Sequence, residues 1–104
     1  MKTKIIRSGT RDFAEIVLFA ALKRANLDRE ILSAPQTEEN TRARGKIYAM
    51  MRAHTSRKCL RLSWSEIARV CGIRNRPSVY FPIQRFEESE GKIEAWSIDE
   101  GRKA

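Results

Sequence analysis

Apolar side chains recur at helical spacing in the first third of the chain. From Phe13 onward they fall on one face of a helix, and further apolar residues widen this stripe. The stripe comprises Phe13, Ile16, Val17, Ala20 and Leu27, and it is widened by Leu18, Phe19 and Leu22. A helix with so much apolar surface is expected to be buried against other helices. Thr10 is positioned to cap its start, with Asp12 in the first turn.

Polar residues and a proline mark the end of this helix and the start of the next. Asn26 and the Ala34-Pro35 step end the first region, which leaves Asp28–Leu32 as an extra turn. A second helix is expected to begin near Thr37 and to end near His54. Its apolar stripe consists of Ala43, Ile47, Met50 and Met51.

The strongest local signal follows a polar, basic stretch at Thr55–Arg61 that predicts a loop. Ser63-Trp64-Ser65-Glu66 has the form of a capping box, in which the serine accepts from a backbone N–H and the glutamate reaches back. Gly72 then stands where a left-handed residue ends a helix. A further helix is expected to open around residues 75–76, with Pro77 in its first turn.

The last predicted helix has an apolar face made by Val79, Ile83 and Phe86. Two short helices joined at a glycine, the second with a basic opening turn, form a helix-turn-helix pattern over about residues 63–88. Six residues are expected to pack together and to hold the pair at a fixed angle: Trp64, Ile67, Val70, Val79, Ile83 and Phe86. Pro82 lacks an N–H and predicts a kink or break in this helix, with Phe81 pushed away from helical geometry.

Because every predicted element is helical, the predicted fold class is all-α, a small helical bundle containing a helix-turn-helix. The chain has 104 residues and is 41% hydrophobic, which suits one domain with one core. We assign residues 1–91 to this domain and residues 92–104 to an acidic C-terminal tail. Ile93 and Trp96 are three residues apart, so the tail either docks as a short last helix or frays.

Charge is unevenly distributed along the chain. The formal net charge is +8, and residues 58–86 alone carry +5 with Glu66 as their only acidic residue, whereas the segment from Glu87 onward carries −3. A one-sided positive field typically faces a polyanion. The alternative is a solvated surface that keeps the protein soluble. Charge alone does not distinguish DNA, RNA, an acidic protein or an anionic lipid.

The residue clusters of enzymes and metal proteins are not visible in the sequence. The longest apolar run, Ile16–Leu22, is far shorter than the ~20 residues of a membrane helix, and we expect no signal peptide. Cys59 and Cys71 have no Cys or His at zinc-ligand spacing, so we interpret them as free thiols in a reducing cytosol. His54 is interpreted as a packing or capping residue. We expect no enzyme activity, metal or cofactor.

Residues 42–88 resemble a known family. Ser65-Glu66-Ile67-Ala68, followed at residues 71–79 by Cys-Gly-Ile-Arg-Asn-Arg-Pro-Ser-Val, is similar to the P-E-I-G and F-G-G-R-D-H-T-T-V signature of the C-terminal DNA-binding domain of the bacterial replication initiator DnaA. Ala43-Arg44, the methionines and Arg52 resemble that family's preceding helix. The resemblance implies a Trp-repressor-like helix-turn-helix that binds double-stranded DNA without the ATPase module. It also implies a cytoplasmic, nucleoid-associated protein of bacterial or phage origin.

The chain departs from this family at the positions that read bases. Asn75 replaces an acidic residue, Arg76 replaces the histidine, and Pro77 and Ser78 replace two threonines. Gln36 stands where the family has an arginine that enters the minor groove. Since arginine pairs with the O6 and N7 edge of guanine and asparagine with adenine, these replacements predict groove binding at a target other than the family's usual box.

Two sets of residues are candidates for contacting DNA. The residues at the opening of the second helix of the pattern are expected to contact bases: Arg74, Asn75, Arg76 and Ser78. Basic residues that flank them are expected to contact phosphates: Arg42, Arg44, Arg52, Arg57, Lys58 and Arg61. A helix opening aimed at the duplex also offers free backbone N–H groups to a phosphate.

These features predict sequence-dependent binding of double-stranded DNA, by a regulator or by an accessory factor of replication or transcription. The alternative is a protein-interaction adaptor that keeps the DNA-binding fold but has lost base reading. Its candidate contacts are Phe19, Tyr80, Phe81 and Trp96. A structured-RNA binder is a third possibility, although no stacked aromatic platform is visible. Neither a membrane nor a small-molecule substrate is expected as a partner.

Overall fold

Every secondary-structure element of the described residues is a helix, which confirms the predicted all-α class. A computed structural model describes residues 2–55, 61–74 and 77–98, with side chains from Phe13 onward. Its elements are α1 (Lys2–Ala25), a 3₁₀ helix (Arg29–Ser33), α2 (Glu38–Ala53), α3 (Trp64–Cys71) and α4 (Pro77–Glu90). None of these helices combines the length and the apolar character needed to cross a bilayer.

Helix α1 begins earlier than the sequence pattern indicates. It runs from Lys2, so Thr10 lies inside the helix and the prediction that Thr10 caps it was wrong. Nothing upstream stops the helix, because residues 2–12 contain no proline and only one glycine, Gly9. The predicted end was correct: Asn26 adopts a left-handed conformation (φ 58°), and the N–H of Leu27 donates to the carbonyl of Leu22.

The buried face of α1 is rotated from the predicted stripe. Its fully covered positions follow a regular 3,4 spacing: Ala14, Val17, Leu18, Ala21 and Leu22. Ile16 and Phe19, which the prediction placed in the stripe, are about half exposed. The rotation arises because α1 carries more apolar residues than one face can hold, so the pattern alone leaves its facing direction undetermined.

Helix α2 begins and ends as predicted and lies at the centre of the bundle. The side chain of Thr37 accepts from the N–H of Asn40 at 3.1 Å, and His54 forms the C-cap. Ile47, Met50 and Met51 are buried. Gly45 is buried as well, because α4 crosses so closely that a Cβ here would overlap the carbonyl oxygen of Pro82.

Helix α4 continues through Pro82 without ending, so of the predicted kink or break the break does not occur, and Phe81 is helical. An interior proline costs about 3 kcal/mol through its lost hydrogen bond and ring clash. Val79, which precedes Pro82, and Ile83 and Phe86, which follow it, are buried. The burial of these three side chains against the core offsets that cost.

Helix α3 and the turn after it lie where the sequence predicts, but of the predicted capping box the structure shows the serine bond, whereas the glutamate side chain turns to Arg69. The Ser63 side chain accepts from the N–H of Glu66 at 3.1 Å, and the Glu66 carboxylate pairs with Arg69. Gly72 is left-handed (φ 74°), with the N–H of Ile73 donating to the Ala68 carbonyl at 2.7 Å. The six residues predicted to pack together all join the core, with Trp64 and Val70 only partly buried.

Residues 91–98, which we call the strap, follow α4 and pack against the core of the bundle. The strap contains no helix, so the expected short last helix is not formed over these residues. Trp96 is nevertheless buried: its backbone bridges that of His54, and its indole N–H donates to the Met50 carbonyl at 2.7 Å. The extended form is favoured because it pairs the strap with backbone groups at the C-terminal end of α2. The remaining tail, 99–104, lies outside the described residues.

Candidate nucleic-acid interface

Helix α4 has a buried face and an opposite, exposed one. Val79, Ile83 and Phe86 hold the helix on the core. Ser78, Phe81 and Arg85 are exposed, and their spacing of three and four residues places them along one side of α4. We call this side the α4 face. The packing of α4 therefore determines which side chains a partner meets.

A groove of about 640 Å³ separates the α4 face from the start of α2. Its lining carries four hydroxyl groups, two guanidinium groups and two carboxylates, with Phe81 and Pro82 as the apolar part. Arg42 and Glu38 pair across one turn of α2, at 3.1 Å between Nη2 and Oε2. The other charged residues of the lining, Arg85 and Glu88, come from α4.

The candidate base contacts lie at the α4 end nearest the Gly72 turn. Arg74 is exposed in that turn, and Ser78 is exposed in the first turn of α4. Asn75 and Arg76 lie outside the described residues. Of the two described candidates, Arg74 therefore lies just before α4 and Ser78 in its first turn, and both are exposed.

Arg44 was expected to contact phosphate, and the structure contradicts this. Its side chain is buried at 5% exposure. One guanidinium nitrogen donates to the carbonyls of Ile31 and Ala34, at 2.9 and 2.8 Å, and the other donates toward Pro35 and Gln36, at 3.4 and 3.3 Å. Because its donors are engaged inside the fold, Arg44 holds the loop before α2 in place.

Arg52 is half-buried and its guanidinium is engaged within the fold, so its assignment as a phosphate ligand stays a prediction. Its Nη1 donates to the carbonyl of Leu62 at 2.6 Å, and its guanidinium lies 4.6 Å from the ring centroid of Trp64. Arg52 thereby ties the end of α2 to the start of α3. Arg61, by contrast, is exposed. Arg57 and Lys58 lie outside the described residues.

Sequence reasoning missed Arg85, which the structure places in the groove beside Phe81. The signal was present, since Arg85 is seven residues after Ser78 and falls on the side opposite Val79 and Ile83. The helix-turn-helix pattern points to the opening turn of the second helix, and Arg85 lies two turns beyond it. Phe81 was considered only as a protein contact, although it belongs to the same face.

The aromatic residues named for a protein partner are in different environments. Trp96 is 5% exposed and packs edge-on against His54, so its assignment as a surface contact was wrong. Tyr80 packs edge-on against Trp64, with centroids 4.7 Å apart, and Phe19 lies under the guanidinium of Arg29. Phe81 is the most exposed of the four, at 63%.

The potential reactive groups are buried in the described part of the chain. Burial raises the pKa of the Cys71 thiol to about 12, and burial likewise raises the pKa of Tyr48 to about 12. Both groups are therefore neutral at ordinary pH, and Cys71 is not an activated nucleophile. His54 is packed between Phe13 and Trp96, and its Nε2 accepts from the N–H of Ile98 at 3.2 Å. Among the described residues no cluster of His, Cys, Asp or Glu has the composition of a metal site.

The resemblance to the initiator family over residues 42–88 stays a prediction from the sequence. No family model matches this chain, and comparisons with curated proteins and with solved structures find no match either.

Proposed function

We propose that this protein binds double-stranded DNA in a sequence-dependent way, with α3 and α4 acting as a helix-turn-helix and the first half of α4 entering the major groove. The observation that supports this most is the α4 face. It presents Ser78, Phe81 and Arg85 to solvent from a helix whose other side is held by the core. A recognition helix needs such a fixed back and an exposed front.

The proposed contacts divide into two groups with different roles. Arg74 and Ser78, together with Asn75 and Arg76, contact base edges at the start of α4. Phosphates are bound by the two arginines that line the groove and by basic residues of the loop before α3. This set comprises Arg42, Arg61 and Arg85, with Arg57 and Lys58. Arg44 and Arg52 are left out, because their guanidinium groups are engaged by the fold.

Charge along α4 supports an approach by its N-terminal end. The turn before α4 carries Arg74. The acidic residues of α4 lie in the last turns of the helix: Glu87, Glu88 and Glu90. A polyanion is attracted to the first end and repelled from the second. This polarity also agrees with the helix dipole, whose positive end is at the N-terminus.

Fluorescence anisotropy with a labelled random duplex over a salt series tests the proposal. Affinity is expected to fall steeply with salt, because phosphate contacts release counterions. Arg85→Ala should lower the slope of log affinity against log salt by roughly one unit. Arg29→Ala is the matched control, since Arg29 lies over Phe19 on another part of the bundle and should leave the slope unchanged.

Base reading is tested at Arg76 on a duplex selected from a random pool by the wild-type protein. Arg76→Ala should weaken binding to that duplex by ~1–3 kcal/mol and change binding to random duplex much less. Equal losses on both duplexes, with the melting temperature unchanged, would limit Arg76 to a phosphate contact.

A protein-interaction adaptor is the second candidate, and the mixed charge of the groove favours it. Glu38 and Glu88 line the groove together with Arg42 and Arg85, so its lining carries no net excess of positive charge. An exposed aromatic ring beside charges of both signs is typical of a protein contact. The absence of duplex binding at low salt would leave this candidate as the better explanation.

A further inference from the structure

Phe81 is exposed to a degree that the fold does not require. Among the large apolar side chains that the structure describes it is the most exposed, at 63%, ahead of Ile16 at 51%. A phenylalanine at this position contributes little to the core, because its neighbours Val79 and Ile83 supply the buried contacts. Single exposed apolar residues are common on protein surfaces, so the neighbours of the ring decide whether it takes part in recognition.

The backbone beneath Phe81 is held in place. The next residue is Pro82, whose ring fixes one backbone angle and whose carbonyl lies against Gly45 of α2. Val79 and Ile83, two residues away on each side, are buried. The ring therefore projects from a rigid part of α4, and binding to it requires little rearrangement.

The polar surroundings of Phe81 indicate what it meets. Ser78 and Arg85 lie one turn before and one turn after it, and Arg42 lines the opposite wall of the groove. Glu38 is paired with Arg42, and Glu88 lies in the acidic last turns of α4. The lining thus holds two carboxylates as well as two guanidinium groups, and the ring together with those guanidinium groups matches a ligand that presents a small apolar group between two anionic strands.

The major groove of DNA presents such a group. Thymine carries a methyl at C5, and aromatic side chains contact it there. We infer that Phe81 reads the 5-methyl group of a thymine, while Arg85 and Arg42 bind the flanking phosphates. The inference rests on the proposed function, and it assigns Phe81 as a specificity-determining residue for thymine over uracil or cytosine.

Substitution of thymine by deoxyuridine tests this directly, because it removes only the methyl group and keeps the pairing edge. The probe is the duplex selected from a random pool by the wild-type protein, with each thymine replaced in turn. Wild-type affinity should fall about three- to five-fold at one or two positions, as expected for one buried methyl group. Phe81→Ala should bind the thymine and deoxyuridine duplexes equally at those positions.

Phe19→Ala is the matched control, since Phe19 is a half-exposed phenylalanine on α1, outside the groove. It should keep the wild-type preference for thymine, and both variants should melt close to wild type. Equal wild-type affinity for every substituted duplex would overturn the inference while leaving DNA binding intact. A thymine preference that persists in Phe81→Ala would also overturn it. If no duplex binds at low salt, the proposed function itself fails.

Discussion

Arg44 is a buried charge whose hydrogen-bond donors have carbonyl partners. A guanidinium inside a protein destabilises the fold unless its donors are satisfied. Four acceptors from residues 31–36 surround this one, and they belong to the 3₁₀ helix and the loop that leads into α2. The planar fork of arginine reaches several carbonyls at once, which the single ammonium group of lysine does not.

Arg44→Lys should therefore destabilise the protein by roughly 1.5–3 kcal/mol, the range for hydrogen bonds to charged groups. Arg42→Lys is the control, because Arg42 lies on the same helix but is only half-buried, and the structure describes one ion pair for it, with Glu38. It should change stability by less than about 1 kcal/mol. Urea denaturation of both variants measures this, and equal midpoints would contradict a structural role for Arg44.

Cys71 gives the stability a dependence on alkaline pH. Burial raises the pKa of its thiol to about 12, whereas an unfolded cysteine ionises near about 8.5. Between these values the unfolded chain has lost a proton that the folded chain keeps, so stability falls as pH rises. The contribution of the neutral Cys71 thiol to the free energy of unfolding should be fully present below about pH 8. It should decrease by about 2 kcal/mol between pH 8 and pH 10.

The measurement compares urea denaturation of wild type and Cys71→Val at these two pH values. Valine resembles cysteine in size and does not titrate, so the variant should lose less stability across the range. All other side chains are the same in both proteins, so the readout is the difference between the stability that wild type loses and the stability that Cys71→Val loses. Parallel losses would show that the thiol is not protected by burial.

At the scale of elements, the crossing of α2 and α4 depends on Gly45. Alanine usually stabilises a helix interior by about 1 kcal/mol relative to glycine. At Gly45 the added Cβ would overlap the Pro82 carbonyl, which is backbone and has no side-chain freedom to move away. Gly45→Ala should thus destabilise the fold by ~1–3 kcal/mol or more, as overpacking does, instead of stabilising it as alanine usually does in a helix.

Gly72→Ala provides a comparison that separates overlap from backbone strain. Gly72 is left-handed, and a Cβ there meets no atom within 4 Å. Its substitution should cost only the roughly 1–2 kcal/mol of the left-handed conformation. Thermal melts of both variants test the difference. A stabilised Gly45→Ala protein would mean that the helices cross farther apart than described.

At the scale of the whole molecule, the strap binds the end of the described chain to the C-terminal end of α2, at the centre of the bundle. Trp96→Ala should destabilise the protein by ~3–5 kcal/mol, because it empties a large buried site. Trp96→Phe should keep much of the packing but lose the bond from Nε1 to the Met50 carbonyl. Chemical denaturation followed by circular dichroism measures both, and a Trp96→Ala protein as stable as wild type would rule out a packed strap.

Local signals predicted most of the helices, and non-local packing accounts for most of the differences between the predicted and the observed structure. Thr37, Ser63 and Gly72 act within a few residues of themselves, so their roles were visible in the sequence. The continuation of α4 through Pro82 depends on a helix more than thirty positions earlier, which no local pattern reveals. For the same reason the sequence suggested a phosphate contact at Arg44, whose partners precede it by 8–13 positions.

The strap has a further consequence for how the polypeptide can be divided. Val79, Ile83 and Phe86 of α4 and Trp96 of the strap all insert into a core otherwise formed by α1, α2 and α3. A chain interrupted after Arg74 leaves two fragments whose apolar surfaces complement one another. Residues 1–74 and 75–104, expressed as separate polypeptides with a tag on one, should assemble and purify together as a split protein. Trp96→Ala in the shorter fragment should weaken that assembly.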